Sequence, residues 1–480
     1  MAAPSCTVNI VDTIHVSAPA GSVPTTTLPL NYLDLPWFPS VPMQSLFFYE
    51  FPHSTAHFMQ KTLPVLKHSL SLTLQHFFPL AAKLMCPPPP LKPYILYTDD
   101  GGDSVPLVVA ESTADVNRLI ANNFPRDFKS LHPYVAELPH STMLSNGIRV
   151  LPVMAIKVTV FPNVGVCIGL AHNHVAADGS AFMHFVRCWS SVCKSNGDSA
   201  FLDIDASRRP VHNRDVFDDP NGCSNEALRF YWHWISSWRE NLGPTKEISS
   251  ADKVRATFVL TKDQIAKFKQ QLATQCKNKS SNDSEQLLIS TFVATCSIMW
   301  ICMIKSEENN QISSNARDDD DDDDTLYYFL FAVDCRSRTK FPLPVTYFGN
   351  CLAPGIIKAK KCDLMGSNGI VTAAEAIAKK VKVMESGALE EAQKGMAKLE
   401  EMFRSGHHVA VSGSPKFRVY DMDFGWGRPK KVEYIHIDDG GSLSINDSRD
   451  ESGGMEVSLV LSKNQMDAFT SKLAEYLKAF

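Results

Sequence analysis

No two of the 12 cysteines in this chain are separated by two residues. That absence excludes the common zinc clusters and leaves no disulfide framework to read. Cys167, Cys296 and Cys302 stand inside apolar runs, where a free thiol behaves as a small hydrophobe. No block of lysine and arginine occurs, and the formal net charge is −5, so nucleic acid is not an expected partner. No stretch approaches the roughly 20 uninterrupted apolar residues of a membrane span. The opening MAAPSCTVNIVDTIHVSAPAG lacks a basic segment followed by an apolar core, so no secretory signal is expected. With no cysteine pairing indicated, the cytoplasm is the expected compartment.

What is present is ordinary for a globular chain: 44% apolar and 21% charged residues. A length of 480 residues exceeds one ordinary core and predicts two domains. The organising stretch is Val164 to Trp189. It opens as an apolar run to Leu170, passes through Ala171-His172-Asn173-His174-Val175-Ala176-Ala177-Asp178-Gly179, and continues with Phe182, Phe185, Val186 and Trp189. The run predicts a buried strand and the later spacing an amphipathic helix. The histidines therefore fall where a strand ends and the chain turns, a place where a rigid sheet holds catalytic groups well. Met154 to Val160 precedes this strand across Phe161-Pro162-Asn163, which predicts a hairpin.

Residues 1–40 read as extended and proline-rich. A helix is expected from Ser54, and strands over Tyr94–Tyr97 and Pro106–Glu111. The polar segment 193–225 reads as a linker between an N-terminal domain, 1–192, and a C-terminal domain, 226–480; the same composition suits a functional crossover or a plain exposed loop. The C-terminal part opens on Phe230-Tyr231-Trp232-His233-Trp234. Its strand Val254–Leu260 runs into Thr261 and Gln264, the two ends of a capping box. Strand Met455–Leu461 runs similarly into Ser462 and Gln465. The likeness of 259–264 to 460–465 is too short to establish a duplicated unit. Leu287–Ile304 predicts a buried helix, Tyr327–Val333 a strand and Ile370–Met384 a helix. The seven aspartates Asp318–Asp324 repel one another and predict a disordered surface loop, with no alternating pattern for calcium.

Three patterns invite a chemical reading. His174-x-x-x-Asp178 occurs once and is weak alone, since Asp178 also suits an N-cap and His174 a hydrogen-bonded core histidine. His172-x-His174 with Asp178 admits a zinc site, but no further Asp-His pair stands nearby, so no metal is expected. Asp423-Phe424-Gly425 occurs in protein kinases, yet the glycine-rich phosphate loop and the His-Arg-Asp loop are missing. Asp423-Phe424-Gly425-Trp426-Gly427 then reads as a tight loop with an aromatic plug.

Together the two intact motifs, His174/Asp178 and Asp423–Gly427, in this order and spacing, make the chain resemble the plant BAHD family of CoA-dependent acyltransferases. Leu33-Asp34 and Phe78-Pro79-Leu80-Ala81 extend the likeness over nearly the whole chain. Tyr347-Phe348-Gly349-Asn350-Cys351 resembles the motif of the subgroup that acylates anthocyanins, flavonoids and related phenolic glycosides. The resemblance implies an α/β fold of two similar chloramphenicol-acetyltransferase-like domains, with a tunnel between them. Donor and acceptor would enter from opposite faces and meet at His174. Asp178 would pair with Arg336 and shape the site, and Asp423, Phe424, Gly425, Trp426 and Gly427 would be structural. Ser412 and Ser414 would lie on the tunnel wall near the intermediate, and Lys253 and Arg255 at a mouth where CoA phosphates could be met.

The chemistry so implied needs no permanently bound cofactor; acyl-CoA is a co-substrate. A neutral imidazole can take the proton of a sugar hydroxyl as it attacks a thioester carbonyl, and no acyl-enzyme is required. The expected substrate pair is malonyl-CoA, or next a hydroxycinnamoyl-CoA, with a phenolic glucoside such as that of an anthocyanin or flavonoid. A malonyl carboxylate wants a cation, for which Arg187 and Arg338 are candidates. The expected assembly is a monomer, with no membrane or nucleic-acid partner. A catalytically silent binding protein on the same scaffold stays open as the alternative, and a zinc-dependent hydrolase as a more distant one.

Overall fold

The computed structural model describes residues 7–479 except 101, 123, 199–207, 218, 220–221, 238–251, 280–286, 315–323, 339–342 and 440. Most of the aspartate run lies outside the described residues; Asp324 lies within them and pairs with Lys360 at 2.7 Å.

Two mixed sheets carry the molecule. The first runs Val8–Val16, Val105–Ser112, Met154–Phe161, Gly165–His172, Met43–Glu50, Lys431–Tyr434. The second runs Leu352–Lys360, Leu326–Asp334, His408–Ser412, Ser442–Asp447, Met455–Ser462, Lys253–Leu260, Arg126–Asp127. A small five-stranded sheet flanks the first half. The two large sheets repeat one plan. In each, an antiparallel hairpin lies beside an antiparallel strand on one side and a parallel strand on the other. Strand Met43–Glu50 leads to the helical stretch 55–76, as Lys253–Leu260 leads to helix Lys262–Lys279. Strand Gly165–His172 leads to helix Gly179–Lys194, as Met455–Ser462 leads to Lys463–Ala479.

This plan explains the short likeness of 259–264 to 460–465. Both are strands of one sheet, paired antiparallel, that pass into capped helices. Both halves of the first box form: Gln264 N–H donates to Thr261 Oγ1 at 3.2 Å, and Thr261 N–H to Gln264 Oε1 at 2.9 Å. Gln465 N–H donates to Ser462 Oγ at 3.3 Å. Ser54 likewise caps its helix, accepting from His57 N–H. Each cap satisfies amide groups that the first helical turn leaves without partners.

The halves are interlocked. Lys431–Tyr434 from the second half edges the first sheet, and Arg126–Asp127 from the first half edges the second. Where the two lent strands approach, Arg126 meets Glu433 at 2.7 Å, and Arg255 meets the other oxygen of Glu433 at 2.9 Å. Lys431 pairs with Glu456 at 2.9 Å, and Tyr420 Oη donates to the same Glu456 oxygen at 2.8 Å.

The helix Cys223–Ser236 begins inside the segment read as a linker. It packs its Cys223, Ala227, Leu228 and Tyr231 into the first core, not the second. Phe38 holds it, with ring centroids 4.7 Å from Tyr231 and 5.0 Å from Trp234. The aromatic segment 230–234 therefore sits with the N-terminal half, because its apolar partners lie there. The second core gathers on Trp300, Phe329, Leu443, Val457, Leu459 and Phe469.

Every residue of strand Gly165–His172 is buried, as a strand paired on both sides under covered faces must be. Gly169 is needed there: a Cβ would lie 2.3 Å from the Tyr134 carbonyl oxygen. The strand runs two residues past the expected end and delivers His172 as its last member.

Candidate active site

Beyond His172 the chain makes a tight loop before the helix Gly179–Lys194. Asn173 N–H donates to Val153 O at 2.8 Å, and Asn173 Oδ1 accepts from Val175 N–H at 3.1 Å. Asp178 caps the helix, accepting from Ala181 N–H at 2.9 Å. The same carboxylate meets Arg336 at 3.0 Å through both oxygens and accepts from Cys351 N–H at 3.0 Å. Asp178 and Arg336 are buried. Arg336 also donates to the carbonyls of Tyr347 and Gly349. The cap and the ion pair are thus not alternatives. One carboxylate does both, and each of its oxygens is engaged away from His174.

His174 is 6% exposed. One ring face stacks on Trp37, with centroids 3.7 Å apart and planes 8° from parallel. Its Nδ1 lies 3.0 Å from Asn350 Oδ1. The Asn350 amide can be oriented from its surroundings. Its nitrogen lies 3.0 Å from Asp34 Oδ1, 2.9 Å from His174 O and 3.1 Å from Val175 O. Three acceptors surround that atom, so it is the NH2 and the other is the carbonyl oxygen. An oxygen facing Nδ1 requires Nδ1–H, which leaves the Nε2 lone pair bare. Burial depresses the His174 pKa, opposed by Asp178, Asn350 and Asp34. The ring is neutral at neutral pH and holds its lone pair on Nε2, as a general base must.

Behind Asn350 stands a second buried pair. Arg214 meets Asp34 at 2.8 Å, with both side chains fully buried. Asp34 also accepts from Asn350 N–H and Asn31 N–H at 3.1 Å, and Arg214 donates to Ala176 O at 2.6 Å. The backbone carbonyls of residues 174, 175 and 176 are all held from one side. Asn350 holds the first two and Arg214 the third; around them Tyr347 O and Gly349 O bind Arg336, and Cys351 N–H binds Asp178. Gly349 permits this crowding, since a Cβ would lie 2.8 Å from Tyr347 Oη. Asp34, Arg214 and Asn350 carry no role in the sequence reading. Asp34 and Asn350 stand in segments that carry the resemblance, which assigns them no role; a carboxylate inside the apolar run Leu33-Asp34-Leu35 also asks for a buried partner.

Asp423–Gly427 meets the other end of the motif helix, about 24 Å from Gly179 at 1.5 Å per residue. Asp423 Oδ1 accepts from Gly425 N–H and Gly427 N–H at 2.8 and 2.9 Å, and Oδ2 meets Lys194 at 2.8 Å. Gly425 and Gly427 hold φ of 98° and 86°, the region that favours glycine. Phe424 packs edge-on to Trp189 at 4.8 Å, and Trp426 to Tyr49 at 5.5 Å.

The residues expected at the CoA mouth separate. Arg255 is not at an open mouth: its guanidinium is fully buried, with Nη1 on Glu433 and Nη2 on Asp438 and Tyr434 O. The strand alternation turns it inward, and its countercharges come from residues about 180 positions away. Lys253 is half-buried, 3.4 Å from Asp438 O and 5.8 Å from the Phe128 ring centroid. Ser412 Oγ lies 2.7 Å from His436 Nε2. Ser414 Oγ accepts from Lys416 N–H and caps the short turn Pro415–Phe417. That turn covers the start of the motif helix. A Cβ on Gly179 would lie 2.7 Å from the Phe417 ring, and Arg187 donates to Phe417 O at 2.8 Å. Arg338 is half-buried on the turn after Arg336.

His172 stacks on Phe182 at 3.7 Å and its ring centroid lies 6.4 Å from that of His174. Among the described residues no group of three or more His, Cys, Asp or Glu is arranged to hold a metal ion, and no helix is long and apolar enough to cross a membrane.

Comparison with known proteins bears on this arrangement. The profile of the Transferase family matches residues 7–476. The chain is 39% identical over 476 residues to coumaroyl-CoA:anthocyanidin 3-O-glucoside-6''-O-coumaroyltransferase 1 of Arabidopsis thaliana, covering 98% of both chains. It is 35% identical to malonyl-coenzyme A:anthocyanin 3-O-glucoside-6''-O-malonyltransferase of Dahlia pinnata, covering 96% of this chain and 95% of that one. Among solved structures its fold is similar to that of vinorine synthase, with a TM-score of 0.68, 20% identity and 98% of both chains covered. It is also similar to TRI101 of F. sporotrichioides in complex with coenzyme A and T-2. That match has a TM-score of 0.64 and 15% identity, and covers 94% of this chain and 98% of that one.

Proposed function

The chain belongs to the Transferase family, the BAHD acyl-CoA-dependent acyltransferases, and we propose that it acylates a sugar hydroxyl of an anthocyanin or other phenolic glucoside, with His174 as general base. The carrying observation is the Asn350 amide, whose orientation puts the His174 proton on Nδ1 and leaves Nε2, without a hydrogen-bond partner among the described residues, as the lone pair of a largely buried ring.

The steps follow from that atom. His174 Nε2 takes the proton of the sugar hydroxyl as its oxygen attacks the thioester carbonyl carbon. The C–O bond forms and the carbonyl oxygen takes the negative charge. The tetrahedral intermediate then collapses, the C–S bond breaks, and the imidazolium returns its proton to the CoA thiolate. Ester and free CoA leave, and His174 is neutral again. Trp37 stacked on the ring favours the transient imidazolium. Two cysteines stand near this loop, Cys335 and Cys351. Burial pushes the thiol of Cys335 up to about 12 and that of Cys351 higher, so neither is an activated nucleophile. This supports direct transfer without an acyl-enzyme. Asp178 and Arg336 shape the loop, and Asp423–Gly427 braces the far end of its helix.

For the donor we favour a hydroxycinnamoyl-CoA over the malonyl-CoA that the motifs alone suggested. The more similar of the two relatives described above carries coumaroyl in its name and the less similar carries malonyl. The arginines that grip the His174 loop, Arg214 and Arg336, are engaged by Asp34 and Asp178, and Arg187 is tied to Phe417 O. A malonyl carboxylate would have to recruit Arg187 or Arg338. Among the described residues every cysteine is free, which supports a reducing, cytoplasmic setting; a monomer belongs to the same proposal.

The test is thiol release with purified protein, coumaroyl-CoA or malonyl-CoA, and a panel of anthocyanin and flavonoid glucosides. Acceptor-dependent release that vanishes in His174→Ala is expected. A folded wild-type protein that binds CoA and turns over no pair would favour the silent binding protein.

A further inference from the structure

Trp37 is the ring laid on the base, and the steps above use only the part of it that covers His174. The two planes lie 8° apart with centroids 3.7 Å from each other. Indole is a fused pair of rings and imidazole a single one, so the stack leaves part of that indole face uncovered. The residue is half-buried and firmly held. Trp37 N–H donates to Asp34 O at 3.2 Å, and Ser40 N–H to Trp37 O at 3.1 Å. Asp34 before it is fixed by Arg214 and Asn350, and Phe38 after it by Tyr231 and Trp234. The indole N–H is a second, independent observation. It makes no hydrogen bond among the described residues, and unlike the N–H of Trp300 it is not sealed from solvent. A tryptophan with an apolar face on one partner and a free N–H at its rim suits a ligand with both kinds of surface.

The stack fixes where that ligand lies. Asn350 occupies Nδ1 of His174, so a substrate hydroxyl meets the ring at Nε2. An oxygen that gives up its proton there sits about 2.6–3.2 Å from the nitrogen and close to the imidazole plane. The planes being nearly parallel, this oxygen lies in the imidazole's own layer, one stacking distance from the indole. The skeleton that bears it continues in that layer, beside His174 and against the uncovered part of the Trp37 face. The indole N–H points within its own plane, so its acceptor is a different oxygen on the same skeleton. A pyranose meets both demands. It offers a face of C–H groups to the ring and hydroxyl oxygens around its rim to the N–H.

We propose that Trp37 is the acceptor-binding residue that reads the sugar: its face carries the C–H groups of the pyranose bearing the reacting hydroxyl, and its Nε1–H donates to a second hydroxyl of that pyranose. This rests on the acyltransferase reading with His174 as base. It adds which part of the acceptor is recognised beside the base, and by which two surfaces of one side chain.

The experiment compares Trp37→Phe and Trp37→Leu with the wild type and His174→Ala. The acceptors are one phenolic glucoside and its analogues, each lacking a single sugar hydroxyl other than the one acylated. Trp37→Phe keeps a ring on His174 and removes the N–H, whereas Trp37→Leu removes both. Acceptor kcat/KM is expected to fall about 3- to 10-fold in Trp37→Phe, the worth of one neutral hydrogen bond. The fall in Trp37→Leu is at least about tenfold, and the acyl-CoA KM stays within about twofold in each. One deoxy analogue should cost the wild type the same factor as Trp37→Phe and cost that variant nothing further, because both changes remove one hydrogen bond. Any effect of the variants on the base itself is common to all the acceptors and cancels in this comparison. Unchanged acceptor kcat/KM in Trp37→Phe, a loss there that is independent of every deoxy position, or a loss that falls on the acyl-CoA KM overturns the inference, while turnover lost in His174→Ala keeps the wider reading. A wild type that turns over no glucoside overturns both. Should Trp37→Leu fail to fold, the cycle between Trp37→Phe and the deoxy analogues decides alone.

Discussion

Asn350 Oδ1 accepts the Nδ1 proton of His174 at 3.0 Å, while the Asn350 NH2 is surrounded by three acceptors, one of them Asp34. A chain of contacts therefore runs from Arg214 through Asp34 and Asn350 to the imidazole, fixing both its plane and its tautomer.

Asn350→Ala should remove that control without touching substrate. The ring loses the amide oxygen that faces Nδ1, and Asp34 loses the side-chain donor while keeping the backbone N–H of residue 350. A fall in kcat of about 10²-fold or more is expected, with acceptor KM within about threefold. Steady-state kinetics at saturating donor checks it. A fall confined to KM would mean that Asn350 shapes the acceptor site instead of the base. Asn350→Asp is expected to fare no better, because its carboxylate would face that of Asp34.

Asp178→Ala should lose activity and stability together. It leaves the Arg336 guanidinium buried without its carboxylate, and breaking such a pair costs about 3–5 kcal/mol. The helix also loses its cap, worth about 1 kcal/mol. A melting temperature lowered by several degrees, with turnover nearly abolished, is the expected result. Full activity at an unchanged melting temperature would reject a site-shaping role.

The parts of this architecture that were legible in sequence are local. The hairpin 154–172, the capping box at Thr261/Gln264 and the start at Ser54 each depend on residues a few positions apart. The helix after Asp178 and the tight Asp423–Gly427 loop are read for the same reason. What was not legible depends on distant pairing. Asp34 and Asn350 stand 316 residues apart, and neither carries a pattern that points to the other. The lent strands, Arg126–Asp127 and Lys431–Tyr434, are two and four residues long, too short for alternation to register. Arg255 reads as a surface cation because nothing near it in sequence neutralises it; Glu433 and Asp438 do so from the other lent strand and the turn after it. Segment 193–225 is polar enough to suggest a linker, and the helix that begins at Cys223 is recognisable only from the first core it packs against.

Glu433 should be a stability residue without a catalytic effect. It is buried among Arg126, Arg255 and Lys431, and despite burial these cations hold its carboxyl down to about 2. Glu433→Gln leaves three cations facing a neutral group where the lent strands cross. A loss of roughly 3–5 kcal/mol is expected, seen as a lower denaturant midpoint, with kcat per folded molecule unchanged. Because the folded pKa is depressed, the wild-type contribution is fully present above the ordinary glutamate pKa of about 4.3 and disappears as pH falls toward 2. The variant should therefore flatten the stability curve only below about pH 4.3. A midpoint equal to wild type at pH 7 would show that the three cations find other partners.

A separate acid window belongs to the buried histidines. Burial lowers the pKa of His172 and His174, and brings His184, His212 and His436 to about 4. Unfolded histidine titrates near 6.5, so between those values the unfolded chain binds more protons than the folded one. Stability is then fully present above about pH 6.5 and falls as pH drops through the window. The loss is about 1.4 kcal/mol per pH unit for each histidine that stays neutral in the fold. Melting temperatures measured from pH 8 to 5 should be flat down to about 6.5 and then fall steadily, well above the range in which Glu433 begins to protonate. The activity profile should behave differently. If His174 is the base and its pKa is depressed, the acid limb of kcat/KM lies below 6.5, so turnover per folded molecule persists into the range where stability is already declining. An acid limb above 6.5 would mean that His174 is charged more easily than its burial allows, and would place the proton acceptor elsewhere.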